Sequence, residues 1–299
     1  MMFKTLIDVD SLQELLGNPR LAIIDCRFDL LNPHAGRQAY LEAHIPGARY
    51  VDLNRDLSAP VGAHTGRHPL PAPHTFAARL GSLGIGKHTQ VVAYDEANGS
   101  FAARLWWMLR WLGHDAAAVL DGGFKAWTAA DGESQSGESA GHATPHGHSA
   151  HGHSPVEHLP NHPSPSAVIT TADLQLALRN PKANTLLVDA RGRERFAGQA
   201  EPIDPVAGHI PGALNHPFTA NLDADGRFLP AADLKGRWQE LLAGRHPEQV
   251  IAMCGSGVTA CHNLLSLEIA GLPGAKLYAG SWSEWIRDPQ RPVARGTQP

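Results

Sequence analysis

The chain has 299 residues, 25 basic and 29 acidic, for a formal net charge of −4, and a length that suits two domains of moderate size. That balance lacks the basic footprint of a nucleic-acid or anionic-membrane binder, and no run approaches the ~20 apolar residues of a membrane span. Three cysteines (Cys26, Cys254 and Cys261) are too few for a secreted disulfide framework, so free thiols in a reducing compartment, the cytoplasm, are expected, with small molecules or proteins as partners.

The opening MMFKTLIDVDSLQELL has neither an apolar signal core nor a small-residue cleavage pattern, and SLQELL reads as a helix. The apolar run LAIID, ending at Asp25, reads as a buried strand, and AHIPGA at residues 43–48 as a turn. QVVAY at 90–94 and AAVL at 117–120 are further strands around the helical pattern FAARLWWMLRWL, with GGFKAW following from Gly122. The second half repeats the series: TLLVD ending at Asp189, GHIPGA at 208–213, QVIAM ending at Met253, the helical VTACHNLLSLEIA, AKLY, and GSWSEW from Gly280. Matched positions are offset by 158 to 165 residues throughout, which signals a duplicated domain rather than a solenoid. Strands alternating with helices predict an α/β fold in each half, a parallel sheet with helices on both faces. Gly113 and Gly271 read as helix stops, the second reinforced by Pro273.

Composition sets the boundaries at residues 1–130 and 167–299, with a linker at 131–166 rich in Gly, Ser, Pro and His. The linker carries His142, His146, His148, His151, His153, His158 and His162, a density capable of binding transition metals. No cysteine or carboxylate cluster gives those imidazoles a fixed geometry, and a solvated tether is the plainer reading.

The two halves differ where it matters for chemistry. In CGSGVTA, residues 254–260, a cysteine stands between a strand and a helix, at the position where the first half carries Asp95 in YDEANGS. A thiol attacks as thiolate, and its ordinary pKa of ~8.5 leaves little anion at neutral pH. Backbone N–H groups of a Gly-rich turn and the start of a helix near Val258 stabilise such an anion without a basic side chain. Gly255 and Gly257 permit the tight curl; Ser256 offers a hydroxyl to the sulfur or to a substrate, and Thr259 reads as the cap of the helix. Cys26 and Cys261 read as buried, inert thiols.

By these motifs the chain resembles the tandem-domain sulfurtransferases, the family of thiosulfate sulfurtransferase (rhodanese) and 3-mercaptopyruvate sulfurtransferase, over nearly its whole length. The paired HIPGA turns, GGFKAW, SWSEW and above all CGSGVTA carry the resemblance. It implies two rhodanese-like domains, the first inactive and the second catalytic. Cys254 is implied as the nucleophile that takes sulfur as a persulfide and passes it to a thiol or cyanide, with no metal or organic cofactor. Ser256 is implied in proton transfer. The donor is a small anion, for which the resemblance designates Arg195 in DARGRERFAGQ, an arginine whose fork suits a carboxylate or sulfonate, together with the loop residues Gly255, Gly257, Val258 and Thr259. Arg193 reads as a surface charge, and Arg191 stays open between a structural pair and the site. The stretch TGRHPLP, residues 65–71, is expected either as a loop reaching the domain interface, where His68 and Arg67 line the cleft, or as an exposed polar loop. His44 and His209 read as structural, and Trp282 and Trp285 as core.

Within that family CGSGVTA, with its serine, is typical of mercaptopyruvate-preferring members, so the resemblance implies mercaptopyruvate over thiosulfate as donor. Two departures temper that: Glu201 and Pro202 are followed by Ile203 and Asp204 where a second arginine is usual, and Asp52-Leu53-Asn54 stands where an acidic residue of a serine relay is usual. Thiosulfate:cyanide transfer is the alternative activity, and a non-catalytic sulfur carrier with a metal-binding linker the alternative class. A Cys-based phosphatase needs an arginine six positions after the cysteine, and that position holds Ala260.

Overall fold

The computed structural model describes residues 2–139, 159 and 163–298. The histidines of the expected metal-binding tract, His142 to His162, lie outside these residues. Contacts divide the chain into two compact units. The first runs to Leu57 and resumes at Pro71; the second takes Ser58–Leu70 and begins again at Ser164. A segment of thirteen residues from the first half of the sequence thus belongs to the second unit.

In the first unit β1 (Leu6–Ile7), β2 (Leu21–Asp25), β3 (Arg49–Tyr50), β4 (Gln90–Tyr94) and β5 (Ala117–Leu120) form an all-parallel sheet in the order β1-β5-β4-β2-β3. Helices α1 (Val9–Leu15), α2 (Ala35–Glu42), α3 (Pro73–Ser82), α4 (Ala102–Trp111) and α5 (Gly123–Ala129) alternate with the strands. Side chains alternate across a strand. Ile23, Val92, Tyr94, Ala118 and Leu120 therefore join one cluster with Val9 and Leu12 of α1 and Trp127 of α5. The intervening Ala22, Ile24, Val91, Ala93 and Val119 are equally buried, and α4 packs against β4 and β5. Burial on both faces explains why these strands read as unbroken apolar runs. The described start of the expected linker is tied to this unit, since Gln135 bridges His44 and the Gly137 N–H donates to the Leu41 carbonyl (2.7 Å).

The second unit repeats the plan. Strands β6 (Leu186–Asp189), β7 (Leu214–Asn215), β8 (Val250–Met253) and β9 (Lys276–Leu277) lie parallel in the order β7-β6-β8-β9. Val168 adds a parallel bridge to Leu277, at the edge where β1 meets β5 in the first unit. Helices α6 (Thr171–Arg179), α7 (Arg193–Phe196), α8 (Ala231–Leu242), α9 (Thr259–Ile269) and α10 (Ser281–Trp285) complete it. Leu174, Leu187, Ile210, Ile251, Met253, Trp282 and Trp285 share one core. Both tryptophans of SWSEW are thus core, as expected.

Identical local devices recur in the two units. Arg27 grips Asp25 through Nε and Nη2 (2.9 and 2.6 Å) and reaches the Ala43 carbonyl; Arg191 grips Asp189 (3.0 and 2.7 Å) and reaches the Gly208 carbonyl. Arg191, left open by the sequence, is therefore a buried structural partner. Each HIPGA segment closes a type II turn, with Gly47 at φ +75° and Gly212 at φ +84°. The preceding His44 and His209 are fully buried and hydrogen-bonded, Nδ1 lying 2.8 Å from the Tyr40 carbonyl and 2.9 Å from the Phe196 carbonyl. Helices α4 and α9 end as expected before Gly113 and Gly271, where N–H groups at His114 and Leu272 turn back to the carbonyls of Leu109 and Leu267. Among the described residues no helix is long and apolar enough to cross a membrane, and no group of three or more His, Cys, Asp or Glu could hold a metal ion.

Candidate active site

Strand β8 delivers Cys254 to the carboxyl end of the second sheet, the place where an open α/β sheet presents loops to ligands. The loop 254–258 then turns into α9. Cys254 is 2% exposed, more enclosed than a cysteine on an open turn. The Gly257 N–H donates to Cys254 Sγ (3.1 Å). Gly257 sits at φ +78°, and a Cβ there would lie 2.5 Å from the Ala279 carbonyl oxygen, so the loop passes too close to the next strand connection for any side chain. The Cys261 thiol, one turn into α9, donates to the Gly257 carbonyl (3.3 Å), while the Cys261 amide bonds to Val258. Gly257 is thereby held at both its amide and its carbonyl.

One part of the expected loop is corrected. Thr259 is the first residue of α9, not its cap; the cap is Val258, in right-handed backbone geometry with no side-chain hydrogen bond. The helix starts without a hydroxyl cap because the loop enters it already curled, and the Cys261 N–H closes onto Val258.

A second anchor comes from α10. The Cys254 N–H donates to Ser281 Oγ (3.1 Å), and the Ser281 hydroxyl donates to the Tyr278 carbonyl (2.9 Å). Ser281 is fully buried and holds φ +53°, left-handed for a residue with a Cβ, a conformation that costs about 1–2 kcal/mol. Its counterpart in the first unit is Gly123 at φ +59°: Phe124 and Trp282 each donate their N–H to the carbonyl of the loop residue, Asp95 or Cys254. The pairing GGF against GSW was the sequence signal for Ser281.

Three side chains of the 58–70 and 195–204 segments surround the loop. His68 is 4% exposed, with Nδ1 2.7 Å from Ser256 Oγ, which rules out the exposed-loop reading of residues 65–71. Arg195 directs Nε and Nη2 to Glu201 (3.1 and 2.7 Å) and Nη2 to Asp204 (3.2 Å). Arg67 also pairs with Asp204, and its backbone N–H donates to Ser283 Oγ (3.0 Å). From the Cβ position of Gly255, Arg67 Nη2 is 3.0 Å away and Arg195 Nη2 3.5 Å. Both guanidiniums therefore overlie the residue next to the sulfur. Burial pulls the Arg67 pKa down from the usual arginine value, and the Cys254 sulfur opposes that shift. Arg193 is exposed, as expected.

The first unit has the equivalent strand-to-helix loop, two residues longer, with a different occupant. The Asp95 carboxylate accepts N–H bonds from Gly99 (2.9 Å), Phe101 (2.8 Å) and Ala102 (3.1 Å). Burial pushes its pKa up, against the pull of those donors. An oxygen anion of the chain itself fills the cradle that the second unit offers to sulfur.

The chain is similar to known proteins over nearly its whole length. The sequence profile of the rhodanese-like domain matches twice, over residues 8–130 and 170–288. A Pseudomonas aeruginosa protein named "Probable 3-mercaptopyruvate sulfurtransferase" is 50% identical over 293 residues, covering 97% of this chain and 98% of its own. The thiosulfate sulfurtransferase of Cricetulus griseus is 33% identical over 315 residues, covering 99% and 97%. The solved structure of SseA from Escherichia coli, titled for the rhodanese fold and 3-mercaptopyruvate sulfotransferases, superposes with a TM-score of 0.73 at 32% identity, covering 93% of this chain and 98% of that one.

Proposed function

The chain belongs to the rhodanese family, with two tandem rhodanese-like domains, and from that premise we propose that it is a sulfurtransferase that takes sulfur from 3-mercaptopyruvate through a persulfide on Cys254. The observation that carries the reading is the Cys254 sulfur under the Gly257 N–H, beside two guanidiniums that overlie Gly255.

The Cys254 thiolate attacks the donor sulfur. The carbon–sulfur bond breaks, its electron pair stays on carbon as the enolate of pyruvate, and a Cys254–sulfur bond forms. Ser256, 2.7 Å from His68 Nδ1, is placed to pass a proton to that enolate, with His68 relaying through the hydroxyl. Arg195 and Arg67 hold the donor carboxylate. The Gly257 N–H donates to the Cys254 sulfur and serves thiolate and persulfide alike, and the neighbouring loop residues Gly255, Val258 and Thr259 are proposed to contact the donor. In the second half-reaction a thiol or cyanide attacks the outer sulfur, the sulfur–sulfur bond breaks, and its electron pair returns to Cys254. The first domain, with Asp95 in its cradle, is read as non-catalytic. A thiolate-based cycle fits a reducing compartment such as the cytoplasm.

Thiosulfate is the second donor to weigh, because a thiosulfate sulfurtransferase is among the relatives. The test is kcat/KM for both donors on one preparation with cyanide as acceptor, and mass spectrometry of donor-treated protein. Cys254 heavier by one sulfur, with mercaptopyruvate the better donor, supports the reading; an unmodified Cys254 refutes it.

A further inference from the structure

Asp204 is a buried carboxylate, 7% exposed, between the two guanidiniums nearest the nucleophile's loop: Oδ1 takes Arg67 Nη1 and Oδ2 takes Arg195 Nη2. Behind it, Glu201 spans Arg195 and Arg191, accepts the N–H groups of Ile203 and Asp204, and so fixes the segment's backbone. Arg191 is already committed to Asp189. Three guanidiniums (Arg67, Arg191, Arg195) thus meet three carboxylates (Asp189, Glu201, Asp204), and the cluster has no surplus positive charge. A donor arriving here shares arginine donors with Asp204 and adds its own negative charge beside a thiolate.

We propose that Asp204 is a charge filter that sets donor preference, admitting monoanions such as an α-keto carboxylate and disfavouring dianions such as thiosulfate. This rests on the sulfurtransferase reading. Mercaptopyruvate carries one carboxylate and, while its thiol is protonated, a single charge; thiosulfate carries two. Each extra charge on the ligand meets the Asp204 carboxylate at a few ångströms, in surroundings less polar than water, where Coulomb energies exceed their bulk value several-fold. Arg67 is the second guanidinium of the site, supplied by the 58–70 segment in place of an arginine after Pro202, and Asp204 both orients it and limits the charge it offers. Asp204 touches no reacting atom in this scheme; it determines specificity through the arginines.

The test measures kcat/KM for mercaptopyruvate and thiosulfate, cyanide as acceptor, in the wild type and in Asp204→Asn. The substitution keeps the shape and one acceptor oxygen and removes the charge. The thiosulfate-to-mercaptopyruvate ratio of kcat/KM is expected to rise about tenfold, equivalent to about 1.4 kcal/mol, chiefly through the thiosulfate KM. A ratio unchanged within about twofold, or equal losses for both donors, overturns the filter and leaves Asp204 as a structural clamp. A wild-type protein that uses neither donor overturns the sulfurtransferase reading itself. Should the variant fold poorly, the wild type still decides: pyruvate is expected to compete with donor at least about fivefold more tightly than inorganic sulfate, and sulfate binding as tightly as pyruvate overturns the proposal.

Discussion

Replacing Gly257 with alanine tests whether one backbone amide activates the sulfur. The residue holds φ +78°, where a Cβ costs about 1–2 kcal/mol, and that Cβ would meet the Ala279 carbonyl oxygen at 2.5 Å, a rigid backbone neighbour. The loop must shift, and the N–H now 3.1 Å from Cys254 Sγ shifts with it. A hydrogen bond to a charged group contributes about 1.5–3 kcal/mol, so kcat/KM is expected to fall by about one to two powers of ten. The rate of Cys254 alkylation by iodoacetamide at neutral pH should fall in parallel, because both reactions use the thiolate. The backbone strain itself should lower Tm by about 2–4 °C per kcal/mol. Steady-state turnover of mercaptopyruvate, alkylation kinetics and a melting curve cover the three readouts. A variant that melts lower while alkylation and turnover stay at wild-type rates would show that Gly257 serves the fold alone and that sulfur activation has another source.

Other outcomes follow from the same contacts. Cys254→Ser should leave far-UV circular dichroism intact and abolish both turnover and the one-sulfur mass gain; residual turnover would move the nucleophile elsewhere. Arg195→Ala should raise the donor KM at least about tenfold and also lower stability, since Glu201 and Asp204 lose a buried partner, a change typically costing about 3–5 kcal/mol; an unchanged KM would make Arg195 purely structural. Ser256→Ala should lower kcat for mercaptopyruvate by about a hundredfold with less effect on thiosulfate, whose leaving group needs no proton on carbon; equal losses for both donors would remove the serine from proton transfer. Burial holds His216 and His114 below the ordinary histidine range. As pH falls the unfolded chain takes up protons first, so the stability these groups contribute is complete above about pH 6.5 and is lost as pH drops through their lower folded-state values, with a slope of at most about 1.4 kcal/mol per pH unit for each. Urea unfolding between about pH 7.5 and 5.5 should show that slope and His216→Gln should flatten it; identical slopes would refute the assignment.

The duplication carried most of the fold. Strands buried on both faces keep unbroken apolar runs, so LAIID and TLLVD, or QVVAY and QVIAM, could be matched across the halves and their helices filled in between. Cys254 stood out because its partner position held Asp95, and the structure shows both groups receiving loop amides. What pattern could not reach was contact between residues far apart in sequence. Arg67 and His68 lie about 190 residues from the loop they address, and nothing local distinguishes TGRHPLP from an exposed turn. Ile203 and Asp204 follow Glu201 and Pro202 where the resemblance implies an arginine, and only the fold brings Asp204 between two guanidiniums. Thr259 was misread as a cap because hydroxyl residues before helices usually cap them, whereas here the preceding loop supplies the curvature and Val258 takes the position.

The thirteen residues Ser58–Leu70 have a consequence for the dissection of this chain. A second half severed in the His-rich tract would keep its cysteine yet leave behind an imidazole and a guanidinium, His68 and Arg67, encoded more than 180 codons upstream of Cys254. The first half of the sequence thus carries a strap, Ser58–Leu70, that packs with the second unit, so a cut between the halves separates the Cys254 loop from two side chains that surround it.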